Sequence, residues 1–355
     1  MKNYIVTVVS PGNAELCECE VPQLSGDLVL IRNHYTVVSA GTERANLLGM
    51  PNTSGQFPYY PGYCGAGEVV AVGPEASLYK PGDRVVVNWG GHRLYTVKSE
   101  CALHWQNYGI SQPDEATVNL RKSALVRIPE PVSMLDAAFA NIASFAFNGV
   151  RKLRLEIGDS AMIAGQGILG IFALQVAALS GAVPLIASDF SPERRELAIR
   201  LGADYALDPG DADYLEQIRE ITGGEGVRGI VEVTGSAAAL QQALEYVAWE
   251  GRISLLGCTR ISDASIDFYR SIHRRGIQLI GAHTHRSAVL ESSPYHWTQE
   301  DDYRAFLKLL ANGKMKASPI ISQIVSPKQC HEVYQTIGTR KNPPLGIVFD
   351  WTQLQ

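Results

Sequence analysis

Hydrophobic and polar positions alternate in short runs over the first third of the chain, as in NYIVTVV (3–9), ELCECEV (15–21), DLVLIRNHYTVV (27–38), GAGEVVAVG (65–73), DRVVVNWG (83–90) and RLYTVK (93–98). Gly and Pro punctuate them, which predicts a compact antiparallel β domain. After Asp136 the texture changes to strand and helix in turn. A helix to about Leu153 is followed by strand SAMIAG, a helix to Ser180, strand VPLIASD, a helix over Pro192–Leu201 and a short strand at YAL. A polar helix from Asp211, strand GIVEVTG, a helix over Ala237–Trp249, strand GRISLLG and strand IQLIGAH complete the series. Such alternation predicts a parallel sheet covered on both faces. Beyond His285 a helix over Glu300–Ala311 leads to a last helix and the strand LGIVFDW, and this tail is expected to return to the first domain.

The uncharged stretch Ile168–Ala187 is as long as a membrane span, but Gly181 and Pro184 divide it, so it reads as a buried helix followed by a buried strand. With 355 residues, 46% hydrophobic and 19% charged, the chain is an ordinary two-domain globular protein rather than a disordered one. Its 31 basic and 36 acidic residues form no basic cluster, which disfavours nucleic acid and anionic membrane as partners. The apolar run after Tyr4 is too short for a signal-peptide core, and the expected compartment is the cytoplasm. Cysteines 17, 19, 64, 101, 258 and 330 contain no CxxC pair and are expected to be reduced; Cys17 and Cys19 share one face of a strand.

The strongest chemical signal is Gly165-Gln166-Gly167-Ile168-Leu169-Gly170, a complete GxGxxG that closes a predicted strand and opens a predicted helix. Gly165 allows the tight turn, Gly167 the approach of a pyrophosphate to backbone N–H groups, and Gly170 close packing of helix on strand. Asp189 ends the next strand nineteen residues after Gly170, where a carboxylate binds ribose hydroxyls and repels a 2′-phosphate. NAD is therefore expected over NADP; Arg194 and Arg195 either reach toward a phosphate, which would favour NADP, or form a solvated helix face, the reading adopted because Asp189 still stands at the strand tip.

With these motifs, and with YPGYCGAGEVVAVG, YKPGDRVVV, SDFSPERRELAIRLGAD, GIVEVTGS and GRISLLG, the chain from about Tyr4 to Trp351 resembles the medium-chain dehydrogenase/reductase superfamily. The resemblance implies an α/β protein in which a GroES-like β-rich catalytic domain (1–150, completed by 287–355) is joined to a doubly wound parallel Rossmann domain (151–286). It also implies that Gly165, Gly167, Ile168, Leu169, Gly170, Asp189, Thr234 and Gly257 bind the dinucleotide. At the three positions where zinc-containing members carry metal ligands this chain has Ala40, Tyr63 and Asn141, none able to supply a thiolate, imidazole or carboxylate. The four-cysteine structural-zinc lobe is also missing, and Cys101 with His104 would make only half a tetrahedral site.

The resemblance extends to a zinc-free branch that includes bacteriochlorophyllide hydroxyethyl dehydrogenases and sugar-type oxidoreductases. Without metal, Tyr63 is the candidate acid/base or merely fills the vacated volume, and Thr42 matches the family's hydroxyl relay. Asn141 suits a hydroxylated substrate or packs, and Glu43 with Arg44 touches substrate or forms ion pairs. His92 lies on a loop that in this architecture can approach the cleft, or is a lone surface histidine, the reading adopted here, and Cys64 points away from Tyr63 if the segment is extended. The expected function is zinc-independent, NAD(H)-dependent interconversion of a secondary alcohol and a ketone on a sugar, cyclitol or polyol-like small molecule. A zinc-free quinone or enone reductase and a non-catalytic dinucleotide binder or redox sensor are the alternatives. The resemblance further implies a homodimer joined through the edge strand IQLIGAH.

Overall fold

The computed structural model describes residues 2–100, 125–283, 287–288 and 291–354, so the Cys101/His104 pair lies outside the described residues. The chain divides into two compact units, Met1–Asn141 with Thr298–Gln355, and Ile142–Trp297. The first cut falls inside the helix Ala140–Arg151.

The first unit starts with an antiparallel hairpin of β1 (Lys2–Ser10) and β2 (Asn13–Glu20). Its main sheet uses β3 (Leu28–Val38), β4 (Cys64–Val72), β5 (Arg84–Asn88), β6 (Tyr95–Ser99) and β7 (Val126–Arg127), with β14 (Ile321–Val325) and β15 (Gly346–Asp350) from the tail. The order is β14-β15-β3-β4-β5-β7, with β6 also on β3. All pairs are antiparallel except β14 with β15. The segment from Thr298 onward belongs to the first unit, where Ile347 lies opposite Val38. Alternate residues of β1 and β15 point inward and join Leu47, Tyr334 and Trp351 in one core with Val6, Val8 and Phe349.

The second unit is a six-stranded, wholly parallel sheet of β8 (Ala161–Ala164), β9 (Leu185–Ser188), β10 (Tyr205–Leu207), β11 (Val227–Glu232), β12 (Val247–Leu255) and β13 (Gln278–Gly281). Its order β10-β9-β8-β11-β12-β13 reverses direction between β8 and β11, which is the doubly wound arrangement expected. The apolar stretch splits as anticipated into the helix Ile168–Leu179 and β9, and among the described residues no helix is long and apolar enough to cross a membrane. One expectation fails: the helix from Ala237 stops at Tyr246 instead of Trp249, because Val247 already pairs with Val227 as the start of β12. Sheet pairing there outweighs the helical pattern.

Candidate functional site

The strap that leads into β4 carries Tyr63. Three backbone hydrogen bonds lock it to the turn after β5: Trp89 N–H to Tyr63 O at 3.1 Å, Gly91 N–H to Gly62 O at 3.0 Å, and His92 N–H to Pro61 O at 2.8 Å. Gly62 has φ of 100°, and a Cβ there would stand 2.5 Å from the His92 nitrogen, so only glycine permits this approach. The Tyr63 ring packs against the Trp89 ring with centroids 5.2 Å apart. Trp89 holds the left-handed backbone conformation at φ of 51°, a costly one for a bulky residue.

Tyr63 is 8% exposed, and its hydroxyl donates to Ser39 Oγ at 2.5 Å. Ser39 precedes the helix Ala40–Leu47 but its hydroxyl does not cap it, which leaves that oxygen for Tyr63. Burial pushes the Tyr63 phenol well above its ordinary value, and hydrogen bonds with Ser39 and Thr42 only partly counter this. At neutral pH the group is a neutral phenol and a donor. Asn141 is completely buried: its amide N–H donates to the Tyr63 carbonyl, and its Oδ1 accepts from Gln299 Nε2 at 2.8 Å and from the Tyr303 hydroxyl at 2.7 Å. The fold thus brings Tyr63, Thr42 and Asn141 together. It adds Ser39 and Trp89, which sequence reasoning missed although both border the quoted motifs.

Glu43 and His92 require correction. Successive residues of a helix point about 100° apart. Thr42 consequently stays near Tyr63, while Glu43 turns into the core at 1% exposure, where it is enclosed instead of being offered to substrate. Its carboxylate accepts from the Ser39 N–H at 2.9 Å and from the Tyr334 hydroxyl, and lies 3.1 Å from His92 Nε2. His92, far from being a surface residue, is wholly buried, with Nδ1 2.8 Å from Thr36 Oγ1, which also accepts from the Trp351 indole. Burial alone would raise the Glu43 carboxyl; His92, Tyr334 and Ser39 together outweigh it and hold it below its ordinary value. Arg44 does not pair with Glu43 but donates to the Gly338 carbonyl at 3.4 Å.

These positions do not fit zinc. Ala40 has no donor atom, and the Tyr63 hydroxyl and Asn141 amide are neutral groups engaged with protein partners. Among the described residues no group of three His, Cys, Asp or Glu is placed to hold a metal ion.

In the second unit the glycine turn fits a dinucleotide. Gly165 has φ of 99°, and a Cβ on Gly170 would collide with the Gly165 carbonyl oxygen, which explains both glycines. Gly167 precedes the helix Ile168–Leu179 with no side chain capping it and nothing within 4 Å of a would-be Cβ, and the first N–H groups of a helix, here at Ile168 and Leu169, have no partner within the helix. Thr234 Cγ2 would be 3.0 Å from a Gly165 Cβ, and the Gly235 nitrogen 2.5 Å from a Gly257 Cβ. The loops after β8, β11 and β12 therefore converge at the strands' carboxyl ends. Glu232, unremarked in the sequence, is the peg: at 1% exposure it accepts from the Thr234 hydroxyl, from Thr234 N–H at 2.7 Å and from Gly235 N–H at 3.2 Å. Burial raises its carboxyl despite these donors.

Asp189 stands at the tip of β9, accepting from Gln166 N–H at 2.7 Å and Ser191 N–H at 2.9 Å. The two arginines are not a solvated face. Arg194 Nη1 is 3.9 Å from the Asp189 carboxylate, and Arg195 donates to Asp208 Oδ2 and to the Asp189 carbonyl, each at 2.7 Å. They are drawn in because the turn places two carboxylates beside them.

Residues 26–125 match the alcohol dehydrogenase GroES-like domain, and residues 169–311 match the zinc-binding dehydrogenase family. The chain is 31% identical over 325 residues to L-threonine 3-dehydrogenase of Pyrococcus furiosus, covering 87% of each protein. It is 28% identical over 310 residues to sorbitol dehydrogenase of Bacillus subtilis, covering 79% of this chain and 87% of that one. A solved structure from Sinorhizobium meliloti 1021, described as a zinc-binding dehydrogenase and bound to NADP, shares the fold at a TM-score of 0.79 and 20% identity over 99% of both chains.

Proposed function

This chain belongs to the alcohol dehydrogenase-like medium-chain dehydrogenase/reductase superfamily, and on that premise we propose a zinc-independent, NAD(H)-dependent enzyme that interconverts a secondary alcohol and a ketone on a sugar, cyclitol or polyol-like substrate. Its class is that of the family, a dinucleotide-dependent oxidoreductase of the alcohol dehydrogenase type. The aligned threonine 3-dehydrogenase and sorbitol dehydrogenase support the secondary alcohol by their names.

The observation that carries the reading is Tyr63, a protonated, donor-ready phenol backed by Ser39 and Thr42, at a position where zinc-type relatives are expected to hold a metal. When bound, the nicotinamide accepts or returns the hydride. Gly165, Gly167, Ile168, Leu169 and Gly170 would hold the pyrophosphate, Thr234 and Gly257 would line the neighbouring loops, and the Asp189 carboxylate would receive the ribose hydroxyls. Its negative charge disfavours a 2′-phosphate, which supports NAD. In the direction of reduction, the substrate oxygen competes with Ser39 Oγ for the phenolic proton, and Tyr63 delivers it. The Ser39 and Thr42 hydroxyls then stabilise the phenolate until a proton returns.

Steady-state kinetics of Tyr63→Phe across a panel of polyols and sugars tests this. The change should lower kcat by about 10²–10⁴-fold with NAD affinity retained. A loss smaller than about threefold would leave Tyr63 as a space filler. Dinucleotide binding with no turnover of any alcohol would leave the protein a binder.

A further inference from the structure

Close to the Tyr63 strap lie two cations to which the described residues bring no carboxylate. We propose that Arg93 and Lys98 form an anion subsite in the first unit, which receives a carboxylate or phosphate group carried by the hydroxylated substrate.

Arg93 follows the turn that holds Trp89, and its backbone bridges to Ile5 of β1. Its Nε is buried with no hydrogen-bond partner. The guanidinium lies against Gly91, where a Cβ would stand 2.9 Å from Nε and 3.0 Å from Nη2, so the glycine makes room for it. Lys98, half-buried on β6, spends one proton on the Trp89 carbonyl at 2.9 Å. That leaves two of its three donors.

Among the described residues neither cation meets a carboxylate. Besides burial, the described groups acting on Arg93 are the Cys19 thiol and the Tyr60 phenol, and the one acting on Lys98 is Arg93. A partly buried guanidinium ordinarily recruits an acidic partner, as Arg195 recruits Asp208 in the second unit at 2.7 Å. Two like charges left together in a partly desolvated place are unfavourable until an anion arrives. Arginine's fork matches the paired oxygens of a carboxylate or phosphate, and lysine adds a point charge.

The surroundings indicate the rest of the molecule. Tyr60 and Trp89, on the two straps hydrogen-bonded to each other, are 52% and 39% exposed, and Trp89 stacks on Tyr63. Aromatic faces flanked by cations suit a carbon skeleton that bears hydroxyls and ends in an anion. Burial, reinforced by Arg93, pushes the Lys98 ammonium down to about 8, so affinity for the anion should fall as pH rises through that value. The two cations share one turn, Arg93 against Gly91 and Lys98 on the Trp89 carbonyl, and among the described residues Arg93 is the charged group acting on Lys98, while Cys19 and Tyr60 act on Arg93.

This proposal rests on the alcohol-oxidising reading for the substrate's hydroxyl chemistry, so the test separates the two. Calorimetric titration of the full chain, with NAD present to fill the glycine cradle, uses inorganic phosphate and acetate as probes. At least one should bind the wild type and lose tenfold or more in affinity in both Arg93→Gln and Lys98→Met, with the wild-type affinity also falling above pH 8. Phosphate stronger than acetate assigns a phosphorylated substrate, and the reverse assigns a carboxylated one. In parallel, NAD-linked turnover compares sorbitol with sorbitol 6-phosphate and with gluconate. An acidic member should have at least a tenfold lower KM than sorbitol, an advantage that both variants abolish. Equal binding of the probes by wild type and variants, or none at all, overturns the subsite whatever the turnover. Variant-sensitive probe binding with no alcohol oxidised upholds the subsite and refutes the dehydrogenase reading instead.

Discussion

Replacing Glu43 by Gln tests whether the buried network is what fixes Ser39, and through it the Tyr63 hydroxyl. The carboxylate now accepts from three sides: Ser39 N–H, the Tyr334 hydroxyl and His92 Nε2. A glutamine keeps one acceptor oxygen and turns an NH₂ group toward donors. Glu43 and His92 are 1% and 0% exposed, so water cannot substitute for the lost interactions. Removing one partner of such a pair costs about 3–5 kcal/mol. At about 2–4 °C per kcal/mol for a unit of this size, the melting temperature should drop by about 6–20 °C at pH 7. Acidification adds a sign. Because the folded carboxyl lies below its ordinary value, the unfolded chain binds its proton first as pH falls. The network's contribution is therefore complete above the unfolded value of about 4.3 and lost as pH drops through the folded one. Differential scanning calorimetry from pH 7 to pH 3 should show Glu43→Gln well below wild type at neutral pH and approaching it in acid. A melting temperature within about 2 °C of wild type at pH 7, or a gap that persists unchanged at pH 3, would refute the reasoning.

Asp189→Ala should weaken NAD and narrow its advantage over NADP by about 1–3 kcal/mol in calorimetry, and a wild type that already prefers NADP would sink the ribose argument. Purified protein should hold less than about one-tenth equivalent of zinc by elemental analysis and keep its activity in chelator, since Ala40, Tyr63 and Asn141 replace the expected ligands; stoichiometric zinc refutes this. β13 pairs only with β12 among the described residues, and an edge strand left bare invites pairing, so light scattering at micromolar concentration should give a dimer rather than a monomer.

The glycine turn was legible in the sequence because its geometry is local. A left-handed φ at Gly165 and the backbone contact at Gly170 admit no other residue, so the requirement is written as glycine at a fixed spacing. The parallel sheet was legible for a similar reason, since strand and helix periods alternate along the chain. The surroundings of Tyr63 were legible only as a set of positions. Thr42 and Glu43 are neighbours in sequence, and adjacency made both look available to substrate, yet one step around a helix sends Glu43 into the core. What holds it there comes from His92 and Tyr334, partners 49 and 291 residues away that no short motif records. Arg194 and Arg195 misled in the same manner, because Asp208 reaches Arg195 only once β9 and β10 are paired. Charge in a sequence has a sign but no partner; folding supplies the partner. Among the described residues it supplies one to Glu43 and to Arg195 and none of opposite charge to Arg93 or Lys98, and that difference, invisible in the string of letters, marks where an anion from outside the chain is expected.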